Sequence, residues 1–206
     1  MTLKNSRPPR IIFALTVSLL CSAVAHAQRV SFGVIGGAAL TNDFVAQTAM
    51  DLIPFRAYST SKDYIVGPMV MVSLPGNFSV ETDLLYRPMN FTTAGVLPSG
   101  ILNSVSPATV ITWEIPILAQ YKFRESGLPV RPVLEIGPSF RVSGNLNGTS
   151  PSTRGITAGA GIEAPLWKLN VAPQLRYTRW AADSGHSEFM PSTKQDQLEV
   201  LVSFSF

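Results

Sequence analysis

The chain has 206 residues, of which 46% are hydrophobic and 14% are charged, and its formal net charge is +3. All thirteen acidic residues but only thirteen of the sixteen basic residues follow position 27, so the chain beyond that position is formally neutral. This length suits one domain, and a neutral chain has no excess of positive charge for a nucleic-acid partner. We therefore expect no nucleic-acid binding.

Residues 1–27 have the pattern of a secretory signal peptide. Basic residues precede an apolar run over residues 11–24, and a small-x-small cleavage site ends at Ala27. The apolar run is too short for a membrane helix. Cys21, the only cysteine, lies in this segment, and the residue before it is not the small one that lipidation needs. The pattern predicts export, removal of the signal peptide, and a domain over residues 28–206 without disulfides.

Beyond the signal peptide, apolar and polar residues alternate in eight segments separated by turn residues. A period of two is typical of a strand with one apolar and one polar face. No long apolar run remains, so any membrane insertion must use strands. The predicted strands are residues 29–38, 64–74, 78–87, 109–123, 130–142, 155–164, 169–180 and 195–206.

The connections between these strands alternate in length. Short turns follow the second, fourth and sixth strands, and long loops follow the first, third, fifth and seventh. Short periplasmic turns and longer outer loops are typical of an outer-membrane barrel. The predicted long loops are residues 39–63, 88–108, 143–154 and 181–194.

The last strand has one apolar face, made of Leu198, Val200, Val202, Phe204 and Phe206; its other face is polar except for Leu201. This strand resembles the closing strand of bacterial outer-membrane barrels, which the barrel-assembly machinery recognises by its terminal aromatic residue. The resemblance implies that Phe204 and Phe206 are an assembly signal. The alternative is an ordinary amphipathic strand of a soluble barrel.

Acidic and basic side chains share the polar phase of their strands. Charges in the core of a soluble barrel would be strongly destabilising unless they were paired. We therefore predict an all-β, eight-stranded antiparallel up-and-down transmembrane β-barrel in the outer membrane of a diderm bacterium, with apolar faces toward lipid. The predicted lumen charges are Glu81, Asp83, Arg87, Glu114, Lys122, Arg131, Glu135, Arg141, Glu163, Arg176 and Glu199.

These lumen charges have two interpretations, a plug of ion pairs and a charged permeation path. Eight strands leave an interior that side chains can fill, which favours the plug. We expect Glu114 and Arg131 to point inward on neighbouring strands and to belong to one paired network. A narrow pore or a small-ligand carrier is the alternative function.

Five prolines lie inside predicted strands, where each lacks the N–H group that a closed barrel needs. We expect bulges or ends of pairing at these positions. The prolines are Pro68, Pro116, Pro132, Pro138 and Pro173.

Several strand motifs resemble one family of proteins. The segment WEIPILAQYKF over residues 113–123 resembles the "EIPLLLKYRF" strand of PorT-like outer-membrane β-barrel proteins. The segment VLEIGPS over residues 133–139 resembles their next strand, and AGAGIE with LRYTRW resembles the following hairpin. The resemblance implies the barrel fold and an interaction role connected with envelope secretion or assembly, with an unknown envelope partner.

Catalytic and cofactor patterns are weak. His186, the only histidine after the signal peptide, lies beside Ser187 and Glu188 in a predicted loop. A catalytic triad needs these groups to converge, and adjacent loop residues point apart. The sequence has no His/Cys metal cluster and no phosphate-binding loop. We therefore expect no enzyme activity, no metal and no cofactor.

Overall fold

The computed structural model of the protein describes residues 29–49, 55–60, 64–96, 102–123, 130–183 and 191–206. The predicted signal peptide lies outside the described residues, as does His186. The described chain forms these strands: β1 Val30–Ala39, β2 Gln47–Ala49, β3 Phe55–Ser59, β4 Tyr64–Ser73, β5 Phe78–Asp83, β6 Leu85–Val96, β7 Leu102–Lys122, β8 Arg131–Ser143, β9 Arg154–Leu166, β10 Leu169–Trp180 and β11 Asp196–Ser205.

The strands close into one antiparallel barrel. Neighbours pair in the order β1, β11, β10, β9, β8, β7, β5, β4, and the pairing of β1 with β4 closes the ring. β5 and β6 are one barrel strand interrupted at Leu84, since both pair with β7 in the same register. The barrel wall therefore has eight strands, which confirms the predicted number and the up-and-down order.

The alternation of residues sets which side chains enter the barrel. On β11, Leu201 is fully buried and Phe204 is 43% exposed. The same alternation places Glu81 inside on β5 and leaves Ile136 on β8 60% exposed. Large apolar side chains therefore cover the outside while most buried charges face the bore, as predicted.

Part of the bore is apolar, which the sequence interpretation did not anticipate. Side chains from β1, β4, β6 and β11 form one buried cluster along this side of the barrel. The cluster contains Ile35, Ala39, Ile65, Met69, Met71, Leu85 and Leu201. Strands β6 and β11 also carry charged lumen residues, Arg87 and Glu199, so these two strands contribute both apolar and charged side chains to the bore.

The in-strand prolines interrupt pairing without shifting register. Pairing between β7 and β8 stops after Pro116↔Ser139 and resumes at Ala119↔Ile136 in the same register. A similar gap lies beside Pro173, where β9 and β10 lose pairing between two matched pairs. Ends of pairing therefore accommodate these prolines, as one of the two expected solutions. Pro132 and Pro138 each retain a partner on β9.

Two of the predicted long loops contain strands, so their boundaries were wrong. β6 runs on to Val96 and β7 begins at Leu102, within the predicted loop 88–108. Their ladder continues beyond the barrel and includes both Pro88, which pairs with Ile111, and Pro107, which pairs with Thr92. The predicted loop 39–63 contains β2 and β3, and β3 extends the sheet along the edge of β6.

A small apolar cluster covers the long-loop end of the barrel. Phe44 packs edge-on against Phe91, with ring centroids 5.1 Å apart, and both rings are buried. Met89 and Val110 complete this cluster. Phe44 is held by a bridge to Thr193, so the segment after β1 folds over the end of the barrel.

Helices have little part in the described chain. No helix among the residues that the structure describes is long and apolar enough to cross a membrane.

Candidate functional site

Ten of the eleven predicted lumen charges take part in ion pairs inside the barrel. They form two clusters and one separate pair. We call the cluster nearer the long loops the upper cluster and the one nearer the short turns the lower cluster. The upper cluster contains Asp43, Arg87, Glu114, Arg141, Trp180, Gln197 and Glu199; the lower cluster contains Glu81, Asp83, Gln120, Glu135 and Arg176.

The upper cluster is built around Arg87 of β6. Arg87 binds Glu199 across the bore, and its Nη2 lies 2.7 Å from Oδ1 of Asp43. Its Nη1 lies 3.6 Å from Oε2 of Glu114, which is held more closely by Arg141 at 2.8 Å. Three buried carboxylates thus share two guanidinium groups.

Trp180 closes the upper cluster on the β10 side. The Arg141 guanidinium lies 3.8 Å from the centroid of the Trp180 ring, a cation–π contact. The indole Nε1 donates to Oε1 of Gln197 at 2.6 Å, and Arg141 Nη2 donates to the same oxygen at 3.0 Å. Because Trp180 is only 2% exposed, it serves as a lumen residue here and not as a lipid-facing aromatic.

The lower cluster is built around Arg176 of β10. Its guanidinium donates to Glu81 at 2.5 Å, to Asp83 at 2.6 Å and, through Nε, to Glu135 at 2.7 Å. The Gln120 amide bridges two of these acids, at 2.7 Å to Glu81 and 2.9 Å to Glu135. These contacts join β10 to β5 and β8, so they cross the bore and fill it.

Both clusters contain more acid than base. Arg176 is the only described cation among the three lower carboxylates, so the formal charge of the lower cluster is −2. The upper cluster has a formal charge of −1. Each buried guanidinium therefore has several acceptors, and its loss would leave buried carboxylates without a counterion.

A third pair lies near the short turns. Lys122 binds Glu163 and also lies 3.3 Å from the sulfur of Met71. Beyond this pair the bore widens into a cavity of about 630 Å³ at the short-turn end. Deeper in, the space beside Met69 and Glu81 holds only about 10 Å³, so the cavity ends below the lower cluster.

The predicted membership of Arg131 in one paired network with Glu114 was wrong. Arg131 is exposed at the mouth of the short-turn cavity and forms no ion pair with a described residue. The cross-strand neighbour of Glu114 is Arg141, and that of Arg131 is Glu163. The polar phase of Arg131 was assigned correctly, but its height in the barrel depends on register, which alternation alone does not determine.

Sequence reasoning missed four members of the clusters. Asp43 comes from a predicted loop and reaches Arg87 because that segment folds over the barrel end. Gln120 and Gln197 lie on the polar phase of their strands, so the alternation of the sequence already indicated that they face the lumen. Trp180 lies on β10 in the same phase as Arg176, so alternation places it in the lumen as well.

The two predicted assembly residues lie on the outside of the barrel. Phe204 is 43% exposed and Phe206 is 70% exposed. Phe206 follows the end of β11 but still exchanges backbone hydrogen bonds with Phe32, at 3.0 and 3.3 Å. The closing strand therefore remains paired to β1 up to this residue.

Aromatic rings collect at both ends of the exterior. Tyr121 contacts Phe78 and Phe123 near the short turns, with centroid distances of 5.0 and 4.9 Å. Tyr86 contacts Trp113 near the long loops at 5.3 Å. Trp167, in the turn between β9 and β10, is fully exposed.

Metal coordination has no support in the part of the chain that is described, where no group of three or more His, Cys, Asp or Glu side chains has a suitable arrangement. The alternative catalytic residues His186, Ser187 and Glu188 lie outside this part.

Comparison with known proteins finds similar solved structures but no matching sequence. No family model matches the chain, and no curated protein sequence matches it. Among solved structures, the chain is similar to the crystal structure of Neisserial surface protein A (NspA), with a TM-score of 0.47 and 14% sequence identity over 88% of this chain and 100% of that chain. The resemblance to PorT-like proteins stays a prediction.

Proposed function

We propose that this protein is an integral outer-membrane barrel with a plugged lumen, which anchors outer loops and a projecting β6–β7 hairpin for contact with other envelope components. The observation that carries the proposal is the inversion of the barrel. Val34, Ile136 and Ile156 are 56–63% exposed, whereas Arg87, Arg141 and Arg176 are at most 2% exposed. Soluble proteins rarely expose an apolar surface that surrounds the whole domain.

The dimensions of the wall support a membrane position. Strands such as β1, β4 and β11 have ten residues each, which matches the roughly 9–11 residues of a tilted crossing. Aromatic contacts lie toward both ends of the apolar exterior, where interfacial belts are expected. Lipid is therefore the proposed partner of the outer surface.

The filled bore supports an anchor over a pore. Ion pairs cross the barrel in two clusters, and about 10 Å³ of free space remains below the lower cluster. A space of this size holds about one water molecule. These two observations favour a closed lumen over a continuous water path through both clusters.

The proposed contact with envelope components rests on the resemblance to PorT-like proteins. We propose that the long-loop end contacts an envelope secretion or assembly component, and that the barrel-assembly machinery inserts the chain through its closing strand. The β6–β7 hairpin extends past the barrel, with Ser104, Val105 and Ser106 exposed. This hairpin supplies a surface for such a partner.

The orientation of the barrel is tested by labelling single cysteines. With an impermeant maleimide on intact cells, Ser106→Cys in the β6–β7 hairpin should react. Lys168→Cys, in the exposed turn between β9 and β10, should react only after the outer membrane is permeabilised. The unaltered chain is the control for Cys21. Labelling of Lys168→Cys but not Ser106→Cys on intact cells would contradict the proposed orientation.

A further inference from the structure

The cavity at the short-turn end is a blind pocket. It has a volume of about 630 Å³, within the roughly 300–1,000 Å³ of typical small-ligand sites. Its inner end lies near the Lys122–Glu163 pair, and the lower cluster fills the bore beyond. A molecule entering from this end therefore stays at this end.

The described lining of this cavity is basic. Its charged side chains are Arg29, Lys122, Arg131 and Glu163. The Lys122–Glu163 pair neutralises itself. The formal charge that remains is +2, from Arg29 and Arg131.

These two arginines differ from the arginines deeper in the barrel. Arg87, Arg141 and Arg176 each bind at least one buried carboxylate. Arg131 is exposed on the inward phase of β8, and Arg29 is exposed immediately before β1; neither forms an ion pair with a described residue. Within the part of the chain that the structure describes, no carboxylate pairs with these two guanidinium groups, so an anion from solution can bind them at the mouth of the cavity.

The remaining lining suits a polar organic anion. Ser73, Asn77 and Asn170 supply hydroxyl and amide groups, and Met71 and Phe78 supply apolar surface. A guanidinium group binds carboxylate or phosphate through two parallel hydrogen bonds. We infer that this cavity binds a small organic anion that carries carboxylate or phosphate groups. This site goes beyond the proposed anchor role and does not depend on the orientation of the barrel in the membrane.

The inference is tested by calorimetric titration of the detergent-solubilised full chain with citrate and, separately, with pyrophosphate. NaCl keeps the ionic strength constant throughout. We expect saturable binding of at least one probe with a stoichiometry near one. Saturation by citrate alone would assign carboxylate ligands, and saturation by pyrophosphate alone would assign phosphate ligands. No saturable heat with either probe would overturn the inference.

Variants at matched arginines locate the site. Arg131→Gln should weaken binding at least tenfold, and Arg29→Gln should also weaken it. Arg154→Gln should leave the affinity unchanged, because Arg154 is an exposed arginine at the opposite, long-loop end. Since Arg131 is exposed and has no described ion-pair partner, its loss should leave heat-modifiable migration intact. If Arg131→Gln and Arg29→Gln bound the probe as tightly as the unaltered chain, the assignment to this cavity would be overturned. A loss of affinity in Arg154→Gln as large as that in Arg131→Gln would overturn it as well.

Discussion

Arg176 is the side chain whose contacts define the lower cluster. It binds three buried carboxylates, from Glu81, Asp83 and Glu135, and it is 2% exposed. Buried ion pairs gain little over apolar packing, but the loss of one partner leaves an uncompensated charge in a medium of low polarity. Replacing the arginine of this cluster should therefore lower the free energy of unfolding more than replacing one of its carboxylates.

We predict that Arg176→Gln lowers the free energy of unfolding by about 3–5 kcal/mol, because three carboxylates then lack their only described cation. Glu81→Gln is the matched control. It should change stability by no more than about 1 kcal/mol, because the cluster retains two carboxylates for one guanidinium and the amide retains an acceptor oxygen. Urea unfolding in lipid vesicles measures both values. A change below about 1 kcal/mol for Arg176→Gln would instead indicate a water-screened lumen.

The sequence predicts which charged side chains enter the lumen, but it does not predict which of them pair with each other. The polar phase of each strand follows from alternation, so Glu114 and Arg141 were both assigned to the lumen. Their contact at 2.8 Å depends on the register between β7 and β8, which the chain sets through turns that alternation does not specify. Asp43 enters the upper cluster from outside any predicted strand, so no periodic pattern identifies it.

At the level of the strand, the close approach of β1 to β11 depends on a glycine on the inward phase of β1. A Cβ atom on Gly37 would overlap the backbone carbonyl of Val200 on β11. On the neighbouring Gly36, the nearest atom to an added Cβ would be the carbonyl oxygen of Ile65 at 3.4 Å, an ordinary contact. The two adjacent glycines therefore have different structural roles.

We predict that Gly37→Ala lowers the free energy of unfolding by roughly 1–3 kcal/mol, the usual cost of forcing atoms into a filled space. Gly36→Ala should be close to neutral because its Cβ meets no overlap. Urea unfolding in vesicles compares the two variants directly. Equal effects of the two substitutions would contradict the close approach of β1 and β11.

The closing strand carries a separate prediction. Phe206 is 70% exposed on the apolar exterior while its backbone is paired to Phe32. We predict that Phe206→Ser reduces the amount of heat-modifiable barrel in outer-membrane fractions, because the side chain contributes apolar surface and belongs to the proposed assembly signal. Ser205→Ala, on the inward phase of the same strand, is the control. Unchanged barrel levels in Phe206→Ser would count against the signal.

The strands themselves were predictable to different degrees. The eight barrel strands follow from alternation because one phase meets apolar surroundings and the other meets the bore. The extension of β6 and β7 beyond the barrel was not predictable in this way, since Ser104, Val105 and Ser106 are all exposed and no burial imposes a period there. β2 and β3 are short and pair in the sheet beyond the barrel wall, so their formation depends on β6 as a template.

The whole molecule is a barrel that is apolar outside and filled inside. Two clusters of charge and an apolar cluster that includes Ile35 and Leu201 together fill the bore. The segment containing Asp43 and Phe44 covers the long-loop end, and the short-turn end opens into a blind cavity. These features are the basis of the proposed anchor role with a plugged lumen.

Single-channel recording in planar bilayers shows whether the filled bore carries ions. Heat-modifiable migration of the reconstituted protein first verifies that the barrel is folded and inserted. We predict no stepwise current, because ion pairs cross the bore in both clusters and only about 10 Å³ of free space lies below the lower cluster. Reproducible current steps from verified barrels, with an ion selectivity that shifts in Arg176→Gln, would contradict the plugged lumen and establish a pore.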